Sequence, residues 1–386
     1  MKFSMIYEAQ LADPAPEKER QLLLDMVEQA EALDRYGFDN IWAVEHTSLT
    51  QYAHMSVPET FLAFVAARTK RIGIGHGVVC LMPAMNHPIK VAERIAMLDV
   101  LSGGRVHFGM GKGGSLQESG AFGYEMDELP PMITESMYLV PKILASGEVE
   151  HKGTYLKDIP HRPVHPSPVQ KPHPPLYMAC TRMDSLKNAG DRGIGALVMG
   201  FGGPEDVAAK NALYRQHFAN RDPAKQVGFI PNEHLAALCP TLVLHDRELA
   251  RRVGLRGQRF FAEAIAHWYQ GLPKPTALDL SPEEHLAALA ATRKEKFARI
   301  GEDKIALNPD HGYFDEVKDA YGTPQDCIAY VQRLIDAGAD EILFIAQMGG
   351  IPHEMIMQTI ELIGTEVIPH FRAKARTAAA DVAVTS

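Results

Sequence analysis

Three short segments of this chain carry side chains that could act together on a small molecule. The first is Val44-Glu45-His46, which closes an apolar run. A histidine there titrates near neutral pH and can serve as acid, base or hydrogen-bond donor. It can equally be packed or solvated, as one of 17 histidines in the chain. The second is Gly109-Met-Gly-Lys-Gly-Gly114, whose glycines let backbone N–H groups approach a phosphate while Lys112 adds a cation. The third is Ala179-Cys-Thr-Arg-Met-Asp-Ser185, followed by a helical pattern. Free N–H groups at a helix start, the hydroxyls of Thr181 and Ser185, and Arg182 make an anion site, or the segment is an ordinary cap on Asp184 or Ser185. With Lys112 they suggest one phosphate held between two loops.

The glycine spacing also matches GxGxxG. A dinucleotide fingerprint needs a helix to open directly at the glycines, and the sequence reading places no helix before Ile133. His54, His76, His87 and His107 have no metal-ligand spacing and there is no HExxH, so no metal is expected. Phe260, Phe261, Trp268 and Tyr269 either cover a ligand or pack a helix.

These segments follow apolar runs that alternate with helical periodicity. Strands are expected at Lys2–Tyr7, Asp39–Val44, Arg71–Val79, Arg105–Met110, Pro175–Cys180, Ala196–Met199, Leu235–Leu244 and Glu341–Ala346. Most are followed by a helix, from Glu17–Tyr36 to a last one from His353 to about Gly364. Eight such units predict an α/β fold, a (β/α)8 TIM barrel, with function at the C-terminal ends of its strands. About 95 residues separate the seventh and eighth strands, with helical patterns over Asp246–Gln270 and Ser281–Arg299 and a connection Glu302–Tyr321. This insertion, about 246–321, reads as a lid, a structural excursion or an oligomer contact. The expected organisation is one domain over 1–372 and a flexible tail over 373–386.

Composition agrees with an ordinary globular chain: 386 residues, 46% hydrophobic and 23% charged, with net charge −9. The acidic balance disfavours nucleic acid and anionic membranes as partners. Cys80, Cys180, Cys239 and Cys327 form no CxxC pair and are expected as reduced thiols. No apolar stretch reads as a signal peptide or membrane span, so a cytoplasmic protein is expected.

Gly37-Phe-Asp-Asn-Ile-Trp-Ala-Val-Glu-His46, the run His87 to Gly113, Pro168 to Thr181 with Ala189-Gly-Asp-Arg-Gly193, and Gly322 to Ile342 together resemble the bacterial luciferase-like, flavin-dependent monooxygenases. The resemblance implies reduced FMN in the barrel mouth, supplied by a separate flavin reductase. It implies O2 addition to give a C4a-peroxyflavin and oxygenation of a small organic substrate. By motif, His46 matches the active-site histidine. Lys112 stands where the family usually has an arginine on the flavin phosphate, and Ser185 matches the phosphate-binding hydroxyl, with Thr181 and Arg182 in the same loop. Gly111 stands where true luciferases have a reactive cysteine. A non-prolyl cis peptide under the flavin would fall near Val78–Val79. A homodimer is implied through the helices Pro58–Lys70 and His87–Leu101, with Ala63, Ala66, Ala67, Ala92 and Ala96 fitting close packing there or on the barrel. An F420-dependent oxidoreductase on the same barrel and a non-catalytic flavin-binding protein are the competing readings.

Overall fold

Apolar runs buried on both faces become parallel strands, and the polar-faced segments between them become the helices that cover them. The computed structural model of the chain describes residues 1–113, 115–275 and 320–375. The predicted helix Ser281–Arg299, all but the end of the connection Glu302–Tyr321, and the tail beyond residue 375 lie outside the described residues. Four strands open the fold: β1 (Lys2–Tyr7), β2 (Asn40–Ala43), β3 (Gly73–Cys80) and β4 (Val106–Gly111). An antiparallel hairpin, β5 (Glu148–His151) and β6 (Ile159–Pro163), follows. The remaining strands are β7 (Leu176–Cys180), β8 (Gly195–Val198), β9 (Leu235–Val243), β10 (Ala320–Gly322) and β11 (Glu341–Ile345). The ring runs β1-β2-β3-β4-β7-β8-β9-β11 and closes on β1, all parallel, giving the expected eight-stranded barrel.

The helices are α1 (Pro16–Arg35), α2 (Pro58–Arg68), α3 (Pro88–Ser102), α4 (Leu116–Ala121), α5 (Leu129–Ser146), α6 (Met183–Asp191), α7 (Gly203–Ala219), α8 (Arg247–Gln270), α9 (Pro324–Asp336) and α10 (His353–Leu362). Helical backbone continues after α10 through a π turn, Ile363–Val367, to residue 375. Proline occupies the first turn of six of them, α1, α2, α3, α5, α7 and α9, where its missing N–H costs nothing. No described helix is long and apolar enough to cross a membrane.

Three features depart from the sequence reading. The hairpin β5–β6 fills what reads as a proline-rich approach to β7. β10 adds a ninth strand to the sheet: β9 pairs with β11 as far as Pro240, which has no N–H to give, and with β10 from Thr241 onward. One helix also opens between the glycine segment and the helix expected over Ile133–Ser146. α4 starts at Leu116, directly after the glycine segment, because Ser115 and Glu118 form a capping box; α5 starts at Leu129. The absent helix was therefore no argument against a dinucleotide fold; the closed ring of strands is.

Strand parity decides what lies inside the ring. Asn40, Trp42 and Glu341 face inward near the N-terminal end: Glu341 accepts hydrogen bonds from Asn40 Nδ2 and Trp42 Nε1, each at 2.9 Å, and lies 2.8 Å from His234 Nε2. Burial alone would raise Glu341, but the His234 hydrogen bond and its charge, with the other donors, outweigh it and bring the carboxyl down to about 2. Trp42 stacks edge-on against Tyr177 at 5.0 Å. A Cβ at Gly75 would lie 2.4 Å from the Trp42 ring, so glycine there lets the indole fill the floor. With the floor packed, the side chains that could meet a ligand stand past the C-terminal ends of the strands.

Candidate active site

Continuing the inward parity of β2 past Trp42 and Val44 brings His46 to the mouth, while Glu45 points the other way. Glu45 accepts from the Cys80 N–H at 2.7 Å and from Asn86 Nδ2 at 3.0 Å, which ties the end of β2 to the loop after β3. Burial pushes Glu45 up to about 7. His46 Nδ1 lies 3.0 Å from Glu118 Oε1. Glu118 is buried and also accepts from the Ser115 N–H and hydroxyl at 3.1 and 2.8 Å. With its other contacts all acceptor contacts, the Glu118 carboxylate takes the Nδ1 proton and sets the tautomer. The second nitrogen, Nε2, is 3.7 Å from Glu8 Oε2, beyond hydrogen-bond distance.

Burial lowers the His46 pKa, but the hydrogen bond to Glu118 and the charges of Glu8, Glu118 and Glu45 outweigh it, so the imidazole sits above its ordinary value. Burial pushes Glu8 the same way, to about 7, with His46 opposing and Glu118 adding to the rise. The two groups face each other across 3.7 Å, both raised, so their titrations are coupled. The arrangement can hold a proton on Nε2 and present it to a bound molecule.

α8, the described part of the insertion, roofs this corner. Tyr269 OH is 3.5 Å from His46 Nδ1, and its ring meets Tyr52 edge-on at 5.9 Å. Tyr52 lies 5.2 Å from the His46 ring and 5.7 Å from Phe261. Trp268 Nε1 donates to the Thr50 carbonyl at 2.9 Å, joining α8 to the loop after β2. Phe260 and Phe261 are core; of the four aromatics the sequence singled out, Phe261, Trp268 and Tyr269 reach the loop after β2 that carries Thr50 and Tyr52.

Across the mouth, Lys112 follows β4 and Arg182 follows β7. Desolvation lowers Lys112 first, and the nearby Arg182 charge lowers it further. No carboxylate is recorded against either cation among the described residues. Thr181 is exposed beside them. The helix here starts two residues earlier than its sequence pattern suggests, with Arg182 rather than Asp184 or Ser185 as N-cap. Ser185 Oγ accepts from the Arg182 N–H at 3.1 Å and donates to the Arg182 carbonyl at 2.7 Å, so its proton is committed to the loop.

The floor between these corners is glycine-lined. The non-prolyl cis peptide is Gly77–Val78, one bond before the expected Val78–Val79. Val78 packs into the space above Gly109 and Gly111: a Cβ at Gly111 would lie 2.3 Å from Val78 Cγ2. A cysteine at Gly111 therefore has no room while Val78 holds this position. Val79 is buried and pairs with Met110. The two cations without a recorded carboxylate, beside a floor where Val78 covers Gly109 and Gly111, fit a phosphorylated planar cofactor such as FMN. Among the described residues no group of His, Cys, Asp and Glu could hold a metal ion. The four cysteines are buried and none is in a disulfide.

Comparison with known proteins follows the same outline. The profile of the luciferase-like monooxygenase family matches residues 1–341. The alkanal monooxygenase alpha chain of Photorhabdus laumondii is 24% identical over 369 residues, covering 94% of this chain and 96% of the relative. The oxygenase component of the flavin-dependent trigonelline monooxygenase of Acinetobacter baylyi is 29% identical over 204 residues, where the chain spans 52% of that relative's length and half of its own. Among solved structures, the monooxygenase RslO1 of Streptomyces bottropensis superposes with a TM-score of 0.75 at 26% identity, over 96% of this chain and all of that one. An F420-dependent tetrahydromethanopterin reductase from Methanopyrus kandleri shares the barrel at 22% identity, with a TM-score of 0.66.

Proposed function

Because this chain belongs to the luciferase-like monooxygenase family, we propose that it is the oxygenase component of a two-component monooxygenase, using FMNH2 from a separate reductase and O2 to oxygenate a small organic substrate. The observation that carries this reading is the pairing of Lys112 with Arg182 on one side of the barrel mouth, opposite His46 on the other. Bound reduced flavin would supply the activation of O2. Lys112 and Arg182 would neutralise its phosphate, Thr181 and Ser185 would line that loop, and Val78 and Val79 with Gly111 would support the ring. His46 would hold a proton on Nε2 and deliver it to the developing oxyanion, or position the oxygen-bearing group. α8 with Tyr269 would keep water from that corner.

A homodimer belongs to the same reading, with a changed footprint. Ala66, Ala92 and Ala96 are buried within the chain, so they pack on the barrel and its neighbouring helices rather than on a partner. Of the expected residues Ala67 stays exposed; with the large apolar side chains that α2 and α3 leave outside, Phe64, Met97, Val100 and Leu101, it would meet a second copy.

Anaerobic titration with FMNH2 and with reduced F420 tests the reading, followed by O2 admission with candidate substrates. Tight FMNH2 binding, and oxygen uptake that depends on substrate, are expected. Preference for reduced F420 would move the chain to hydride transfer, and flavin binding with no product from any substrate would make it a flavin carrier.

A further inference from the structure

Buried polar side chains are normally hydrogen-bonded, because an unmade bond costs the full desolvation of the group. Three such groups at one edge of the mouth carry polar atoms with no hydrogen bond among the described residues. Gln347 is 5% exposed, and neither its amide nitrogen nor its oxygen has a partner there. Gln10 is 2% exposed; its oxygen accepts from the Gly349 N–H at 2.7 Å, and its nitrogen makes no hydrogen bond. Glu8 Oε2 makes no hydrogen bond either, and faces His46 Nε2 at 3.7 Å.

The barrel brings these groups together. β1 and β11 pair in register with Met5 opposite Phe344. The same offset sets Glu8 opposite Gln347 and Gln10 opposite Gly349, and the Gln10–Gly349 hydrogen bond shows that it persists past the strands. Glu341 and Gln347 share strand parity, as do Ile6 and Glu8, and Ile6 meets the position of an added Cβ on Gly77 inside the ring. Both end groups therefore face the axis beside His46. Ala9, between Glu8 and Gln10, has φ +54, a conformation unfavourable for a residue with a Cβ. Backbone strain and unmade hydrogen bonds thus coincide at a corner that the phosphate and ring contacts do not use.

Building on the proposed oxygenase function, we infer that Gln347, Gln10 and Glu8 form the polar wall of the substrate subsite, and that the substrate presents to it a hydrogen-bond donor adjacent to an acceptor. A lactam or a cyclic imide has such an edge, its N–H free beside its carbonyl. The Gln10 amide orientation is set by its bond to Gly349, so it offers a donor. Gln347 offers one donor and one acceptor whichever way its amide is turned, and so matches a donor–acceptor edge. A plain aldehyde has a single acceptor and would leave the Gln347 oxygen desolvated and unpaired. Tyr52 and Tyr269, set edge-on at 5.9 Å, give the same corner aromatic walls suited to a planar ring.

The test compares 2-quinolone with coumarin, in which a ring oxygen replaces the lactam N–H, as ligands of the FMN-loaded and FMN-free protein by calorimetry. The wild-type protein is expected to prefer the lactam by about tenfold, the loss attached to one unpaired buried group. Gln347→Met is expected to reduce that preference to within about twofold, with FMN affinity unchanged. Its melting temperature should be no lower than wild type, since an amide without hydrogen bonds is exchanged for an apolar group of similar size. Equal binding of both compounds, binding of neither, preference retained in the variant, or a clear fall in its melting temperature would each overturn the assignment. The FMN titration reports on the cofactor reading separately, because the lactam comparison in FMN-free protein stands even if flavin does not bind.

Discussion

His46 and Glu118 are 72 positions apart in the chain, and Nδ1 of one lies 3.0 Å from Oε1 of the other. This contact joins the end of β2 to the capping box of α4 and sets which imidazole nitrogen is left for chemistry. Glu118 makes its two kinds of contact through different oxygens, so the cap holds the carboxylate still while His46 uses it. Glu118 acts through His46 and is a positioning residue.

Replacing Glu118 with Gln keeps the size of the side chain and removes the charge that favours the imidazolium. The His46 pKa should fall. In the coupled assay, the limb of the pH–rate profile that reports loss of this proton should move to lower pH, with FMNH2 affinity unchanged. NMR titration of the His46 ring would show whether it is this group that moved. An unshifted profile would remove Glu118 from the mechanism.

Lys112→Ala and Arg182→Ala should each weaken FMN binding about tenfold, the scale of a charge-assisted contact. Riboflavin has no phosphate, and its affinity should be unchanged in both variants. Lys112→Arg should bind FMN at least as well as the wild type, because the guanidinium adds a second parallel hydrogen bond. Equal losses for FMN and riboflavin would place these residues against the ring or in the fold instead.

Glu341→Ala leaves Asn40, Trp42 and His234 without their shared acceptor in the barrel floor. We expect a loss of about 3–5 kcal/mol in urea unfolding, the range for breaking a buried ionic contact from one side. The carboxyl is held near 2, below its ordinary 4.5. Its stabilisation is therefore complete above the ordinary value and is lost as pH falls from 4.5 towards 2. The wild-type urea midpoint should drop through this window, and that of the variant should drop less.

Leu101 is 68% exposed and Phe64 is 54% exposed, on the outer faces of α3 and α2. Leu101→Glu should convert a dimer into a monomer in light scattering at micromolar concentration, with little change in melting of the isolated subunit. A monomeric wild-type protein, or a variant that stays dimeric, would direct the search for an interface elsewhere.

Much of this architecture could be read from local pattern. The eight barrel strands lie where the apolar runs placed them, since a strand buried on both faces needs little beyond local composition to be recognised. His46, Lys112, Arg182 and Ser185 stand at strand ends for the same reason. The hairpin β5–β6 was hidden by its prolines. α4 was announced by Ser115-Leu-Gln-Glu118, a capping signature that the glycine spacing overshadowed. Gln347 gives no local signal. Counting by twos from the buried Glu341 would have turned it inward, once that parity was known.

The sequence by itself determined the order of βα units, the closed barrel they imply, and the strand ends that carry its reactive side chains, because periodicity and turn chemistry act over a few residues. Only the tertiary structure decided which of those side chains meet. The His46–Glu118 hydrogen bond, the approach of Glu8 to His46, the nearness of Lys112 to Arg182, and the edge of Gln347 and Gln10 left without hydrogen bonds all come from segments far apart in the chain. They exist because ring closure fixes register, and burial then raises or lowers each group according to its neighbours.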